Sequence, residues 1–473
     1  MKKITKVLIA NRGEIALRII RACKELNIQS VAIYSEVDKE GVWTIKADEA
    51  HLIKGDVLQA YLNYENIIEL AKATKCDAIH PGYGFLSENA EFAEACDKNG
   101  IIFIGPRAEH IALFGDKIAS KIAMKKVGVP VLEGTDEPIL DQKEGAKIAG
   151  EIGFPVIIKA AFGGGGRGMR IVHKASDFDA MFTSATNEAI KFFGKGEVFI
   201  EKYVENPRHI EVQIMADKYG NVVHLGERDC SIQRRHQKVI EIAPSPRLND
   251  EVRKELFRIS TKAMFKLGYE SVGTIEFLLD ENDTIYFIEM NTRVQVEHPV
   301  TEIISGVDII QRMIEIAEGD KLKFMQEEIK FKGYAIEFRI NAENPENNFM
   351  PSSGTISAYL TPGGPGVRLD TSAYAGYTVP TNYDSMIGKL IVWALDWEGA
   401  VNKGRRALDE FMIEGLPTNI PLHQQIVRDE DFIEGKLTTN YLDKKLPKFQ
   451  VVNPETKKAI DSKLKTIFSK FLF

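Results

Sequence analysis

Between Ile288 and Glu297 the chain alternates. Ile288, Met290, Val294 and Val296 occupy even positions, interrupted by Thr292, while Glu289, Asn291, Arg293, Gln295 and Glu297 occupy odd ones. In an extended strand, alternate side chains point to opposite faces, so the pattern predicts one apolar face and one carrying two acids, an arginine and two amides. A solvated strand favours Lys, Thr and Ser. Five candidate ligands for a metal and an anion point instead to a working site. The same period recurs where His209, Glu211 and Gln213 alternate with Ile210, Val212 and Ile214, and where Thr274, Glu276 and Leu278 alternate with Ile275 and Phe277.

Elsewhere the period changes. Lys6–Ala10 reads as a strand, Glu14–Glu25 as a helix, Ser30–Tyr34 as a strand, and Ala78–His80 and Ile101–Gly105 as short strands. Strand–helix alternation implies a parallel sheet with helices on its faces. From about 115 a helix (Lys117–Lys126) leads into a glycine-rich segment over roughly 131–204, then long alternating strands to about 300; a further strand, Tyr334–Ala342, opens a mixed region ending near 447. The class is α/β (α+β), divided at 1–114, 115–330, 331–447 and a tail, 448–473; a length of 473 residues fits about three domains. In the tail, Ile460, Leu464, Ile467, Phe468 and Phe471 have the spacing of an amphipathic helix packing on its own subunit.

Bulk properties narrow the role. With 61 basic and 68 acidic residues the net charge is −7, which argues against nucleic-acid or membrane-surface binding through bulk charge. Cys23, Cys76, Cys96 and Cys230 form no CxxC pair, so neither a disulfide framework nor a zinc site is expected, and a reducing cytosol is the simplest home. The apolar run Val7–Ala10 is too short for a signal peptide and no run would span a bilayer, so the expectation is a soluble cytoplasmic protein.

Val156–Lys159 is an apolar strand ending in lysine. It enters Gly163, Gly164, Gly165, Gly166, Arg167 and Gly168, and a second strand opens at Met169. Glycines let backbone amides approach phosphate, and lysine adds a point charge. The loop contains GxGxxG, but a strand rather than a helix follows, and GxxxxGK[ST] is absent, so a hairpin closing over triphosphate fits better than a Rossmann or P-loop site. Glu276 and Glu289 lie on neighbouring strand candidates joined by Asp280–Asp283, which can set the carboxylates side by side. With Asn291 they supply the hard oxygen ligands that magnesium prefers. Cys230 reads as a packed thiol. Ala123–Met124–Lys125–Lys126 has the look of a biotin attachment site, but it falls in a helical pattern without a flanking hairpin.

The chain resembles the biotin carboxylases, the ATP-grasp component of acetyl-CoA, pyruvate and propionyl-CoA carboxylases. The resemblance rests on Ile9–Ala16, His80–Asn89, Gly226–Lys238, Glu289–Pro299 and Tyr383–Lys389, and extends from about Lys6 to Leu446. It implies an ATP-grasp fold with an N-terminal open parallel α/β domain, a glycine-rich lid and a C-terminal mixed domain. The reaction it implies is ATP- and bicarbonate-dependent carboxylation of biotin through carboxyphosphate, with biotin on a separate carrier protein. Magnesium (or manganese), two ions in this family, would assist.

Residue by residue, the resemblance implies that Lys117, Lys159 and His209 contact the nucleotide phosphates or ribose. The loop with Gly163, Gly164, Gly165, Gly166 and Gly168, followed by Met169, closes over the phosphates. Glu201, Lys202 and Val204 lie at the adenine edge and Leu278 beside the nucleotide, while Gln233 and His236 face ribose and phosphates. Glu276, Glu289 and Asn291 hold metal. Lys238, Arg293, Gln295 and Val296 bind bicarbonate and Glu297 is its base. Arg339 stabilises the biotin enolate, with Tyr83 and Gly84 near the ring. Arg293 and Glu297 are four residues apart, about 13 Å along an ideal strand, so both reach one anion only if the strand curves or ends. From the residues alone, Arg339 is equally a structural partner of Glu337, on the same strand face. A homodimer through the first and third regions is implied, with Arg21 and Glu25 at the contact, together with a carboxyltransferase subunit. Acetyl-CoA is the default acceptor and pyruvate or propionyl-CoA the alternative. Two rivals are a different ATP-grasp ligase and a nucleotide-binding regulatory module without turnover.

Overall fold

Five short strands, β1 (Lys6–Ile9), β2 (Gln29–Tyr34), β3 (Glu49–Leu52), β4 (Ala78–His80) and β5 (Ile102–Phe103), form a parallel sheet in the order β3-β2-β1-β4-β5. The structure is a computed structural model and describes residues 3–160, 169–193 and 196–449. Val7, Leu8, Ile9, Val31, Ala32, Ile33, Ala78 and Ile79 are all fully buried, as expected where helices cover both faces of a parallel sheet. The predicted helix at Glu14 begins one residue earlier, as α1 (Gly13–Glu25), and the strand expected over Ile101–Gly105 narrows to β5.

The chain runs outward from β1 to β3, then returns to place β4 and β5 on the other side. The order therefore reverses between β1 and β4, and a crevice opens at the carboxyl ends of the strands at such a reversal. Residues 11–14 follow β1 and residues 81–84 follow β4, so two motif segments line that crevice. The Asn11 amide stitches them together, donating to the carbonyls of Pro81 at 2.7 Å and Tyr83 at 2.8 Å. Gly82 has φ +66°, and a Cβ there would stand 2.9 Å from Asn11 Nδ2, so the position needs glycine for both backbone and space.

β6 (Val156–Ala160), β7 (Met169–Val172) and β8 (Val198–Lys202) make a small antiparallel sheet in the order β7-β6-β8. Its inward side chains Val156, Ile158, Val172, Val198 and Ile200 pack under the helices Gln142–Ile152 and Phe178–Phe193. Lys159 pairs with Met169 at the open end of β6 and β7. The glycine loop Gly163–Gly168 that joins them lies outside the described residues.

The third element is an eight-stranded sheet. It contains β9 (Arg208–Ala216), β10 (Val222–Arg234), β11 (Gln237–Ala243), β12 (Ser271–Leu279), β13 (Ile285–Asn291) and β14 (Tyr334–Asn341), followed by strands Val367–Thr371 and Met386–Ala394. The order is β13-β12-β9-β10-β11-β14, then 386–394, then 367–371, with neighbours antiparallel. One sheet thus crosses residue 330, where the sequence pattern changes. Ile210, Val212, Ile214, Ile275 and Phe277 pack with Leu256, Ile259 and Ala263 of the helix Asp250–Lys266. The opposite, polar face is buried as well: His209, Glu211, Gln213, Thr274 and Glu276 are all nearly inaccessible.

The strand expected to run to Glu297 ends at Asn291. Residues 292–297 turn into the helix His298–Ser305, which has proline in its first turn. Val294 is drawn fully into the core beneath the first sheet, and Thr292, which broke the alternation, marks the departure. Arg293 and Glu297 therefore sit on a turn, and the extended-strand separation does not apply. Ala123–Lys126 lies on the helix Lys117–Lys126 with Met124 fully buried. From residue 450 the expected tail helix lies outside the described residues. Among the described residues no helix is long and apolar enough to cross a membrane.

Candidate active site

Strand register sets four charged side chains in one row. Glu289 on β13 stands opposite Glu276 on β12, Glu276 opposite Glu211 on β9, and Glu211 opposite Arg228 on β10. Directly opposed side chains on a sheet are within interaction range, and like charges there repel. Cations from neighbouring segments resolve the conflict. Lys238 on β11 donates to Glu211 Oε2 at 2.6 Å, Glu276 Oε1 at 2.8 Å and Glu297 Oε1 at 2.7 Å, using every N–H of its ammonium. Arg228, fully buried, directs all its donors inward. It reaches Glu211 Oε1, Gln213 Oε1 (2.9 Å), Thr301 Oγ1 (3.0 Å), Thr274 Oγ1 (3.1 Å) and Gln295 Oε1 (2.9 Å).

The electrostatics follow from that packing. Burial opposes the charge on Lys238, but Glu211, Glu276 and Glu297 outweigh it and hold the ammonium well above its ordinary range. Burial alone would raise the Glu297 carboxyl; Lys238, Arg339 and Arg228 overcome this and hold it well below the usual carboxylate range. Glu276 is held low against burial by Lys238 and His209. Buried charges persist when each is paired and hydrogen-bonded, as here.

The row's outer end has the chemistry of a divalent-cation site. Burial, then the neighbouring charge of Glu276, pushes Glu289 upward, and no described donor engages its carboxylate. Two adjacent carboxylates in conflict offer the hard oxygen donors that magnesium takes, and a cation between them would relieve the repulsion. Asn291 joins the cluster differently from expectation: its amide donates to Glu276 Oε1 at 2.9 Å, and its oxygen accepts from Arg293 at 2.7 Å. His209 Nε2 lies 2.9 Å from Glu276 Oε2, while Gln233 donates to His209 Nδ1 at 2.9 Å. Gln295 donates to Glu276 Oε1 at 2.8 Å, and Arg293 is anchored by Glu88 at 2.8 Å.

Beyond Lys238 the cluster continues into β14. Arg339 donates to Glu297 Oε2 at 2.9 Å and to Glu241 Oε1 at 2.6 Å. Glu297 therefore bridges Lys238 and Arg339 with its two oxygens. The partner of Arg339 is not Glu337, the acid sharing its strand face. Glu337 is fully buried and its oxygens take no hydrogen bond among the described residues; burial pushes its carboxyl far up. Burial likewise lifts Glu241 to about 7. Beside this end a cavity of about 380 Å³ opens at the crevice of the first sheet, with Arg12, Glu14, Tyr83, Gly84, Tyr383 and Asp384 in its wall.

On the small sheet, Lys159 Nζ donates to Glu201 Oε2 at 2.5 Å, and Lys121 lies 3.3 Å from the other Glu201 oxygen. Lys202 points elsewhere and donates to the carbonyls of Gly153 (2.9 Å) and Phe154 (3.2 Å), because adjacent strand residues face opposite ways. Its side chain thus stands apart from that of Glu201, with which the sequence grouped it. His236 is exposed at the β10–β11 turn with φ +64°, so protein contacts do not bring it to the cluster. Lys117 is exposed at the start of its helix, Val204 is buried just after β8, and Leu278 and Met169 are half-buried.

Sequence reasoning left Glu211, Arg228, Glu241, Glu14 and Lys389 without a role. Glu211 stood in a visible alternation and Arg228 and Lys389 in motif segments. What the pattern could not reveal is that the polar face is covered, which turns surface-like residues into buried charges. Cys230 is fully buried with its thiol pushed far up by burial, the packed thiol expected.

Comparison with known proteins bears on this geometry. The biotin carboxylase N-terminal domain model matches residues 3–111, the ATP-binding domain of the carbamoyl-phosphate synthase L chain matches 116–325, and the biotin carboxylase C-terminal domain matches 337–444. The 2-oxoglutarate carboxylase small subunit of Hydrogenobacter thermophilus is 54% identical over 93% of this chain and 93% of its own. A biotin carboxylase of Nostoc is 52% identical over 93% of this chain and 99% of its own. Among solved structures, the Hydrogenobacter thermophilus 2-oxoglutarate carboxylase biotin carboxylase domain dimer, in complex with MgADP, ADP and bicarbonate, superposes with a TM-score of 0.91 at 52% identity, covering 96% of this chain and 100% of that one. The Campylobacter jejuni biotin carboxylase β,γ-ATP complex gives 0.89 at 49% identity, covering 93% and 99%.

Proposed function

The chain belongs to the biotin carboxylase family, and from that premise we propose how its own residues divide the reaction. It carboxylates biotin with ATP and bicarbonate, releasing ADP and phosphate. Lys159, His209 and Gln233 bind the nucleotide on the side of the small sheet, with Glu201 orienting Lys159. Glu276 and Glu289 hold magnesium, which when bound neutralises phosphate charge during transfer. Bicarbonate lies among Lys238, Arg293, Gln295 and the backbone of Val296, with Glu297 as its base.

Bicarbonate is a poor nucleophile until it loses its proton. In the described arrangement Lys238 and Arg339 hold Glu297 as a carboxylate. As their donors turn toward the incoming anion, the carboxylate's affinity for a proton rises and it deprotonates bicarbonate. A bicarbonate oxygen then attacks the γ-phosphorus and ADP leaves, giving carboxyphosphate. This breaks into carbon dioxide and phosphate. The phosphate takes the ureido N–H proton of biotin, and the resulting oxyanion is held by Arg339, whose charge is permanent. The ureido nitrogen attacks carbon dioxide to form carboxybiotin. Tyr83 and Gly84, at the crevice between β1 and β4, hold the biotin ring.

The single observation that carries this reading is the Glu297 bridge between Lys238 and Arg339, which ties the proposed bicarbonate cation to the proposed biotin cation through one carboxylate. Biotin arrives on a separate carrier, the final acceptor is chosen by a carboxyltransferase subunit, and the chain pairs as a homodimer with Arg21 and Glu25 exposed on α1 at the contact. Its four buried free thiols suit the cytoplasm. The purified chain is expected to cleave ATP only when bicarbonate is present, and faster with free biotin. ATP cleavage indifferent to bicarbonate would refute the assignment.

A further inference from the structure

The segment Tyr383–Lys389 has no role in the reaction described above, yet Lys389, its last residue, reaches toward the cluster. Its side chain is fully buried. Nζ donates to the Val296 carbonyl at 2.7 Å and lies 3.0 Å from Glu14 Oε1. The same Glu14 oxygen accepts the Tyr83 hydroxyl. On its strand, Lys389 is directly opposite Arg339. Glu14 from the first turn of α1 and Val296 from the turn after β13 thus meet at the ammonium of Lys389, on strand 386–394 of the eight-stranded sheet, and Tyr83 from the loop after β4 joins through Glu14. Two cations opposed on neighbouring strands repel, and an ammonium out of water is unfavourable unless paired. Glu14, Glu337 and Asp370 surround Lys389 and keep it charged.

A peptide unit is planar, so pinning the Val296 carbonyl also fixes the amide of Glu297, from which the proposed base projects. The Glu14 branch fixes the Tyr83 hydroxyl in the same way. Small displacements of reacting groups cost rate steeply. We propose that Lys389 is a positioning residue that holds the bicarbonate turn and, through Glu14, the biotin-side tyrosine in one fixed relation. The proposal rests on the subsites assigned under the proposed function and adds the element that couples them.

Lys389→Met in a Glu14→Gln background removes the ammonium without stranding the Glu14 carboxylate. The KM for bicarbonate in ATP cleavage is expected to rise about tenfold, as for loss of one charge-assisted hydrogen bond, with the KM for ATP unchanged. Carboxybiotin formed per ATP cleaved falls as well. Glu14→Gln alone keeps the bond to Val296, so it raises the KM for free biotin and leaves that for bicarbonate unchanged. A purely structural role would lower the melting temperature while the KM values and the coupling ratio stay as in the unmodified protein, and that result overturns the proposal. Should the double variant fail to fold, Lys389→Gln in the same Glu14→Gln background removes the ammonium and leaves a shorter neutral amide, and an unchanged KM for bicarbonate with an unchanged coupling ratio there overturns it equally. An unmodified protein without bicarbonate-dependent ATP cleavage would instead sink the underlying assignment of function.

Discussion

Glu297→Gln tests the reading at its centre. The substitution keeps shape and opens no cavity. Glu297 Oε1 accepts from Lys238 at 2.7 Å and Oε2 from Arg339 at 2.9 Å; an amide keeps one acceptor and turns an N–H₂ toward the other cation. One charge-assisted hydrogen bond is lost, about 1–3 kcal/mol. The cations keep other partners, Lys238 on Glu211 and Glu276, and Arg339 on Glu241, so the fold survives. Catalysis loses its base, which contributes about 10²- to 10⁴-fold, or roughly 3–5 kcal/mol of barrier. The assay pairs nucleotide affinity by titration with bicarbonate-dependent ATP cleavage and carboxybiotin formation. Affinity for ATP should hold within about twofold while both rates fall by at least about 10², the lower bound for such a base. Turnover within about threefold of the unmodified protein, against that expected minimum, would remove Glu297 from the base role.

Two further outcomes follow from the same geometry. Arg339→Met should depress carboxybiotin formation far more than bicarbonate-dependent ATP cleavage, because the cation acts on the second step; equal losses would show that it does not serve biotin. It also removes the described hydrogen-bond partner of Glu241, which then stays protonated, so the variant should lose about 1–3 kcal/mol in denaturant unfolding. Glu241, lifted by burial from an ordinary 4.5 to about 7, binds its proton more tightly folded than unfolded. Its contribution to stability is therefore complete below about pH 4.5 and lost as pH rises through 7, about 3 kcal/mol at roughly 1.4 kcal/mol per pH unit. Glu241→Gln should flatten that fall, and parallel stability–pH curves for the two proteins would contradict the assignment.

Alternation alone placed His209, Glu211 and Gln213 on one face and Glu276 and Glu289 on adjacent strands of a hairpin, because a two-residue period is a local property of extended backbone. The helix Lys117–Lys126, the parallel first sheet and the glycine hairpin strands were legible for the same reason: their signals lie within a few residues. The motif series, ordered along the chain, was enough to identify the chemistry.

The end of β13 at Asn291 was not legible, since it depends on Val294 reaching a core built from another part of the chain. Nor could local pattern choose Glu241 over Glu337 as the partner of Arg339, because both acids sit on paired strands and only register and twist decide which oxygen arrives. The burial of Lys389 against Glu14 and Val296 joins residues from three distant parts of the chain. Sequence determined which charges this protein carries and the strand faces on which they stand. Tertiary packing alone decided which of them lose water and must find one another, and pairing energies depend on that loss.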